Sequence, residues 1–178
     1  MTMTARPPLL ACLAFLAAAA TAHAAEPSAV MYKVTPEGTG DLAGLITIAM
    51  SPAGGVFRVN VKNLPPGAHG FHVHENGECG PAAENGKPVP AGAAGGHWDP
   101  GHTGKHEGPS GTGHMGDLPV LEIAKDGIAV TNLTAPHIKD LEALRGRALV
   151  IHAGGDTFSD KPTPLGGGGA RIVCGVIK

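Results

Sequence analysis

Apolar and polar side chains alternate along several short segments of the chain, and residues 56–61 show this pattern most clearly. There Phe57, Val59 and Val61 are separated by Arg58 and Asn60. Because the side chains of a β-strand point alternately to its two faces, a period of two predicts a strand with one apolar face. Similar segments recur with Gly and Pro between them, which favours an all-β sandwich or barrel. The predicted strands are 29–34, 42–50, 56–61, 71–74, 118–124, 128–132, 147–152 and 171–177.

The segment at residues 71–74 differs from the others because its polar positions are both histidines. His72 and His74 are two residues apart, so on a strand their side chains share one face, while Phe71 and Val73 share the other. We predict that the apolar face packs into the core. The outer face then offers two imidazoles as a two-point grip for a metal ion.

Two irregular stretches interrupt the predicted strands. The first, residues 74–117, is rich in Gly and Pro, and an irregular segment of this length in a compact domain indicates a functional loop. The second, residues 153–170, ends in four consecutive glycines, which allow a close backbone approach near a metal. Between them, residues 138–144 have apolar side chains at helical spacing and predict one short helical turn that ends near Gly146.

The first residues of the chain are typical of a secretory signal. Arg6 precedes an apolar run at residues 9–20, and Ala22-His23-Ala24 has the small-x-small pattern of a cleavage site. We therefore predict a signal peptide at residues 1–24, one domain at 25–178, and an exported protein. The apolar run is too short to span a bilayer and no other segment could do so, so we expect no membrane anchor. Too few apolar residues precede Cys12 for a lipoprotein signal.

Composition narrows the function classes further. The chain has 13 basic and 15 acidic residues, a formal net charge of −2, and no run of Lys or Arg, so we expect no nucleic-acid partner. Cys12 lies in the predicted signal peptide. The exported domain therefore keeps two cysteines, Cys79 and Cys174, which we interpret as one disulfide. A pair of thiolate metal ligands is the alternative, although the two cysteines lack the close spacing of a sulfur metal site.

The remaining histidines supply the ligand types of two metal sites. His97, His106, His114 and Asp117 provide three imidazoles and a carboxylate, a closed four-coordinate set that suits structural zinc. The strand histidines His72, His74 and His152 form a nitrogen-rich group of the kind that suits Cu(II). If the two ring nitrogens of His97 bridge both ions, copper has four nitrogen ligands and an open axial face for a small molecule.

Six motifs contain these residues: GFHVHE at 70–75, GGHWDP at 95–100, KHEGP at 105–109, HMGDL at 114–118, IHAGGD at 151–156 and GARIVCGVI at 169–177. Together they resemble the copper/zinc superoxide dismutases, and the exported bacterial branch in particular, which implies a periplasmic protein. The similarity extends over essentially the whole of residues 25–178. It implies a Greek-key β-sandwich or barrel of about eight antiparallel strands with two long functional loops.

The resemblance implies roles for individual residues. It implies one copper and one zinc per subunit, with the ligands assigned as above and His97 common to both. Asp156 is expected to join His72 to His106 and so fix both imidazoles. Arg171 is expected to guide and hold the substrate beside the copper. The resemblance also implies that the disulfide joins Cys79 to Cys174.

The implied reaction is the dismutation of superoxide to oxygen and hydrogen peroxide, with His97 giving a proton to the product, as an antioxidant defence outside the cytoplasm. A non-catalytic copper or zinc buffer or donor is the alternative, and a homodimer remains open. Four further residues have expected roles outside the ligand sets. His69 is expected to form structural hydrogen bonds, His102 could compete with His106 for zinc, and Lys87 and Lys161 are candidates for steering the substrate.

Overall fold

The computed structural model describes residues 1–2 and 25–178, so the predicted signal peptide falls almost wholly outside the described residues. The structure is built from short strands and three single turns of 3₁₀ helix. The strands are β1 (Ser28–Thr35), β2 (Gly38–Ser51), β3 (Gly54–Val61), β4 (Gly67–His69), β5 (Phe71–His74), β6 (Ala82–Glu84), β7 (Lys87–Val89), β8 (Leu121–Ile123), β9 (Ala129–Ala135), β10 (Ala148–His152) and β11 (Arg171–Val176). The 3₁₀ turns span Gly92–Ala94, Glu142–Leu144 and Pro164–Gly167.

Seven strands form one antiparallel sheet in the order β5-β10-β11-β1-β2-β3-β9. Two smaller antiparallel pairs, β4 with β8 and β6 with β7, complete the described strands. The large sheet curls, and its inner face packs around a continuous apolar core in which Phe57 and Phe71 meet edge to face at 5.9 Å. The all-β, antiparallel fold predicted from the sequence is therefore confirmed.

The alternation in residues 56–61 is visible in the folded chain, because Phe57, Val59 and Val61 are buried while Arg58 and Asn60 are exposed. The predicted helical turn is present as the 3₁₀ turn Glu142–Leu144. The predicted strand 118–124 is shorter than expected, since only Leu121–Ile123 pairs with another strand. Residues 118–120 belong to the loop that follows Asp117, and Ala124 begins the turn toward β9.

Two other features differ from the prediction. The first irregular stretch is not structureless, since β6 and β7 form a hairpin inside it. The face of β5 that carries His72 and His74 was predicted to be an outer face, yet all four residues of β5 are buried. The prediction that His72 and His74 share a face was right, and the prediction that this face is exposed was wrong. A sequence pattern of period two does not show that a loop covers the polar face.

The disulfide predicted between Cys79 and Cys174 is present, which excludes these sulfurs as thiolate ligands in this structure. It ties the start of the first loop to β11, three residues beyond Arg171. No helix in the described part of the chain is long and apolar enough to cross a membrane.

Candidate metal centre

The polar face of β5 is the floor of the site. β5 is an edge strand of the large sheet, and an edge strand leaves a row of backbone hydrogen-bonding groups without strand partners. Two pieces of the first loop satisfy them: Trp98 N–H donates to the carbonyl of Val73 at 2.9 Å, and Val73 N–H donates to the carbonyl of Gly116, also at 2.9 Å. These bonds bring His97 beside His74 and Asp117 beside His72 as isolated β-bridges.

One group of side chains is organised around the carboxylate of Asp117. The Nδ1 atoms of His97 and His106 each lie 3.0 Å from Asp117 Oδ1, and that of His114 lies 3.4 Å from it. All four residues are buried. Three imidazole nitrogens and one carboxylate oxygen thus converge on one point, which is the donor set and the closed arrangement of a structural zinc site.

A second group lies on the other side of His97. One side-chain nitrogen of each of His72, His74, His97 and His152 falls within 4.8 Å of the others. The Nε2 atoms of His74 and His152 are 3.3 Å apart, and the rings of His72 and His97 stack at 4.0 Å. This all-nitrogen set has the chemistry that Cu(II) prefers.

His72 also lies within ligand distance of His97, His106 and Asp117, so distance alone does not exclude it from the Asp117 group. The contacts with Asp117 differ between His114 and His72. His114 Nδ1 lies 3.4 Å from Asp117 Oδ1, whereas the nearest carboxylate contact of His72 is that of its Nε2 with Asp156. We therefore describe His114 with the Asp117 group, and His72 with the all-nitrogen group to which it also belongs by distance.

Four of these imidazoles are oriented by a hydrogen bond at the nitrogen that faces away from the centre. Asp156 contacts two of them: its Oδ2 lies 2.7 Å from His72 Nε2 and its Oδ1 lies 2.7 Å from His106 Nε2. The Nδ1 atom of His74 faces the carbonyl of Gly95 at 3.0 Å, and that of His152 faces the carbonyl of Gly169 at 3.1 Å. Such contacts fix the tautomer, so that the inward nitrogen keeps a lone pair for a metal.

The inward nitrogens test whether a metal fits. The Nδ1 atoms of His72, His106 and His114 are buried and have no hydrogen-bond partner. A buried polar atom without a partner is unfavourable, and it is uncommon in folded proteins. Three such atoms directed into one cluster of imidazoles and a carboxylate are explained together by metal coordination.

The protonation of these groups also suits metal binding. Burial lowers the pKa of His72 to about 3 and that of His152 to about 4, and it holds the pKa of His74 and His97 below the ordinary value. Although burial opposes charge on Asp117, the adjacent imidazoles of His106 and His97 hold its carboxyl pKa well below the usual range. Neutral imidazoles and an ionised carboxylate are the forms that bind metal.

His106 is the exception among the imidazoles. Burial alone would lower its pKa, but the carboxylates of Asp117 and Asp156 contact its two nitrogens and raise the pKa to about 9. In the absence of a metal, a proton on His106 therefore compensates the two carboxylates. A divalent cation can take the place of that proton.

A cavity of about 320 Å³ opens onto the all-nitrogen group. The guanidinium of Arg171 is half-buried in its wall and donates to the carbonyls of Ala91 at 2.6 Å and Gly95 at 2.7 Å. The same Gly95 carbonyl faces His74, so Arg171 and one histidine of the all-nitrogen group are held by one backbone atom. A positive charge fixed beside an opening to the imidazoles favours the entry of a small anion.

Two further cavity residues were not identified from the sequence. Glu84, at the end of β6, places a carboxylate in the wall that Arg171 also lines. Leu165 lies at the rim in the left-handed region, with φ of 52°. Neither cavity position could be inferred from a periodic pattern, because the hairpin β6–β7 and the 3₁₀ turn Pro164–Gly167 both lie in stretches predicted only as irregular.

The four other candidates differ in burial and in their distance from the site. His69 is buried, with its two ring nitrogens 2.7 Å and 2.8 Å from the carbonyls of His152 and Pro65, which fits the structural role predicted for it. His102 is exposed and belongs to neither cluster. Lys87 and Lys161 are exposed, and neither is among the residues lining the cavity.

The glycine tract fits the close approach predicted for it. A Cβ at Gly166 would lie 1.9 Å from Asp156 Oδ1 and 2.8 Å from His106 Nε2. Gly166 also has φ of 69°, a conformation that L side chains rarely adopt. Any side chain here would displace the carboxylate that orients His72 and His106.

Comparisons with known proteins agree with this geometry. The family described as Copper/zinc superoxide dismutase (SODC) matches residues 42–177. Among individual proteins, the chain is similar to Superoxide dismutase [Cu-Zn] 2 of Salmonella typhimurium, with 52% identity over 163 residues that cover 92% of this chain and 94% of that protein.

Solved structures give the same result. The Cu/Zn superoxide dismutase from Brucella abortus is similar with a TM-score of 0.84 and 52% identity, over 86% of this chain and 100% of that one. The monomeric copper, zinc superoxide dismutase from Salmonella enterica is similar with a TM-score of 0.76 and 54% identity, over 85% of this chain and 98% of that one.

Proposed function

The chain belongs to the copper/zinc superoxide dismutases, and on that premise we propose which of its residues perform the reaction. The enzyme converts two superoxide anions and two protons to oxygen and hydrogen peroxide, using copper and zinc. We assign copper to His72, His74, His97 and His152, and zinc to His97, His106, His114 and Asp117. The position of His97 carries the proposal, since its Nδ1 faces Asp117 while its ring belongs to the all-nitrogen group.

When bound, copper supplies a one-electron redox couple that oxidises one superoxide and reduces the next, while zinc supplies fixed positive charge without redox chemistry. The protein fixes the positions of the metal ligands and provides the cavity through which the substrate reaches them. Asp156 keeps His72 and His106 in fixed orientations through its two oxygens. His69 supports the backbone of His152 in the same way, through a ring nitrogen at its carbonyl.

Arg171 acts on the substrate. Its two carbonyl partners hold the guanidinium in the cavity wall near His74 and His152. Guanidinium groups bind small oxyanions with directed N–H donors, so Arg171 both attracts superoxide and orients it toward the imidazoles. The protein has a net charge of −2, which makes this local positive charge necessary for the approach of an anion.

His97 delivers a proton. Its Nδ1 is directed at Asp117 on the zinc side, so the Nε2 atom is the one that faces the copper side and the cavity. We propose that Nε2, whenever it is not bound to copper, would hold a proton and donate it to the peroxide product. Because Nδ1 of His97 stays anchored, the ring can transfer the proton from Nε2 without a change in its orientation.

The function is tested by the rate of superoxide loss. Protein loaded with copper and zinc is compared with zinc-only protein and with protein freed of both metals. Only the doubly loaded form should accelerate the reaction. Equal rates in the three samples would instead favour a non-catalytic metal buffer or donor.

The ligand assignment has a separate test, namely metal content. His106→Ala should lower the zinc retained after dialysis to well below one per chain, and His152→Ala should do the same for copper. His102→Ala is the matched control, because His102 lies four residues before His106 but is exposed and outside both clusters. Loss of zinc in His102→Ala with full retention in His106→Ala would reverse the assignment.

We propose export to the periplasm with removal of residues 1–24. The similarity to bacterial enzymes and the disulfide support an oxidising compartment. Mass spectrometry of the protein from a periplasmic fraction should give a mature chain that begins at Ala25. An uncleaved chain in the cytoplasm would contradict the proposal.

For assembly, a homodimer remains a prediction. The outer face of the large sheet exposes apolar side chains of Val30, Tyr32, Leu42, Leu45 and Val130, a composition found in some subunit interfaces. The relative from Salmonella enterica is described as monomeric. The mass of the purified protein by light scattering decides between the two states.

A further inference from the structure

The second loop is fastened to the first by a carboxylate that neither proposed metal set contains. Asp160 Oδ2 accepts a hydrogen bond from the backbone N–H of His106 at 2.9 Å, and its Oδ1 accepts one from the backbone N–H of Leu165 at 3.2 Å. One side chain therefore joins the main chain of a proposed zinc ligand to the rim of the substrate cavity.

The rim end of this connection needs support. Leu165 is a non-glycine residue with φ of 52°, and it exposes 43% of its surface at the mouth of the cavity. A side chain in the left-handed region is unfavourable, and it persists only where the surroundings hold it. The bond from its N–H to Asp160 is such a restraint.

The zinc end of the connection is held independently. The two backbone N–H groups that follow His106, at Glu107 and Gly108, donate to Asp117 Oδ2 at 3.2 Å and 3.1 Å. Asp117 Oδ1 is the oxygen that meets the three Nδ1 atoms. The order of this stretch of backbone thus depends on the same carboxylate that the proposed zinc site uses.

Asp156 also connects the two loops, but it reaches a different place. Its Oδ1 meets His106 Nε2 and accepts from the backbone N–H of Phe158 at 2.7 Å. A Cβ at Gly108 would lie 2.6 Å from the ring of Phe158, so that ring covers Gly108. These contacts restrain the beginning of the second loop, whereas Asp160 restrains the rim.

We propose that Asp160 is a positioning residue that transmits the order of the zinc-side loop to Leu165 at the rim of the cavity. Zinc binding fixes the backbone at His106, Asp160 carries that restraint across, and Leu165 takes the position that shapes the entrance beside Arg171. The inference rests on the proposed zinc set, so its test separates zinc binding from its consequence at the rim.

The test is amide hydrogen exchange, followed by NMR on copper-free protein with and without one equivalent of Zn²⁺. In the native sequence, Zn²⁺ should slow exchange at both His106 and Leu165. In Asp160→Ala, Leu165 should exchange about 10- to 100-fold faster, the factor expected for the loss of a hydrogen bond to a charged acceptor. Its rate should also stop responding to Zn²⁺. Co²⁺ absorption at the same site shows whether the variant still binds metal.

Asp126→Ala is the matched control, because Asp126 is also exposed and caps one backbone N–H, that of Ile128 at 3.1 Å, in the turn between β8 and β9. It should leave the zinc response of Leu165 intact. If Asp160→Ala does not fold, Asp160→Asn keeps the side-chain size and one acceptor oxygen, and should show a smaller loss of the same response.

The outcomes distinguish the two proposals. If Zn²⁺ protects neither His106 nor its neighbours in the native sequence, the zinc assignment is wrong. If Zn²⁺ protects His106 and Leu165 equally well with and without the Asp160 carboxylate, the zinc assignment stands and the role of Asp160 is overturned.

Discussion

Asp117 and Asp156 orient the imidazoles from two different sides. Asp117 directs one oxygen at three Nδ1 atoms and the other at two backbone N–H groups, while Asp156 uses its oxygens to hold His72 and His106 from behind. His72 and His106 are thus fixed at Nε2, while their Nδ1 atoms remain available to a metal.

At this scale, Arg171→Ala should lower kcat/KM by about tenfold or more, because the local positive charge that attracts superoxide is lost. Both metals should remain bound, since Arg171 contacts two carbonyl oxygens and no proposed ligand side chain. Stopped-flow measurement at low ionic strength, with elemental analysis, tests both statements. Arg58→Ala is the control for net charge, as Arg58 is exposed and paired with Glu26. An unchanged rate in Arg171→Ala would refute the role.

Glu84→Gln should have the opposite effect. Its carboxylate lies in the same cavity wall as Arg171 and repels an incoming anion, so its neutralisation should raise kcat/KM by about twofold to tenfold at low salt. The gain should shrink as salt screens the charges. Glu37→Gln, an exposed position in the turn between β1 and β2, changes the net charge equally and should have little effect. A matching gain in both variants would show that only net charge matters.

At the scale of the elements, the site depends on an edge strand covered by a loop. The period of two in residues 71–74 correctly predicted that His72 and His74 share a face, because alternation is a property of the strand itself. It could not predict that the face is buried, since the cover comes from Trp98 and Gly116, which are distant in sequence. The hairpin β6–β7 was missed for a related reason: two three-residue strands are too short to show a period.

Strands β5 and β10 pair directly, with Val150 opposite His72, and both carry imidazoles that burial keeps neutral. Because the pKa of His72 is about 3 and that of His152 about 4, the unfolded chain binds more protons than the folded chain below pH 6.5. The metal-free protein should therefore lose stability as the pH falls from about 6.5 toward 4. His106, with its pKa raised to about 9, should make stability decline from about pH 6.5 toward 9.

Urea unfolding of the metal-free, disulfide-intact protein across this range tests the prediction. The free energy of unfolding should be highest near pH 6.5 to 7. The protein loaded with both metals should change less, because coordinated nitrogens do not accept protons until the metals dissociate. A free energy that rises steadily on acidification would contradict the burial assigned to His72 and His152.

At the scale of the whole molecule, one covalent bond ties the first loop to the strand that bears Arg171. The disulfide joins residues 95 positions apart, so it restricts the unfolded chain strongly. The loop that it anchors also carries the carbonyls of Ala91 and Gly95, to which Arg171 donates hydrogen bonds. Stability and the position of the guanidinium proposed to bind the substrate are therefore linked.

Replacement of both cysteines, Cys79→Ser with Cys174→Ser, should lower the free energy of unfolding by about 4–5 kcal/mol from chain entropy. It should also lower kcat/KM, since the loop that holds Arg171 is released. Denaturant unfolding of the metal-loaded variant gives the first value and stopped-flow kinetics the second. A loss of stability with full activity would show that the loop keeps its place without the bond.

The fold class, the disulfide and the residues of the histidine cluster were predictable because each follows from local pattern, from pairing in an exported chain, or from motif resemblance. The cavity was not predictable in the same way. It is formed where two irregular loops meet, and irregular backbone leaves no periodic signal in the sequence. The positions of Glu84, Leu165 and Asp160 therefore became visible only in the folded chain. Lys87 and Lys161 were reasonable candidates by charge alone, yet the folded loops leave both outside the cavity lining.

The central claim is that the ring of His97 joins a copper ion to a zinc ion. The most direct measurement is a crystal structure of the oxidised, fully loaded protein, with anomalous data collected at the copper and zinc absorption edges. The predicted result is zinc at His97 Nδ1 among His106, His114 and Asp117, and copper at His97 Nε2 among His72, His74 and His152. A ring that contacts only one of the two ions, or ions bound at unrelated places, would contradict the claim.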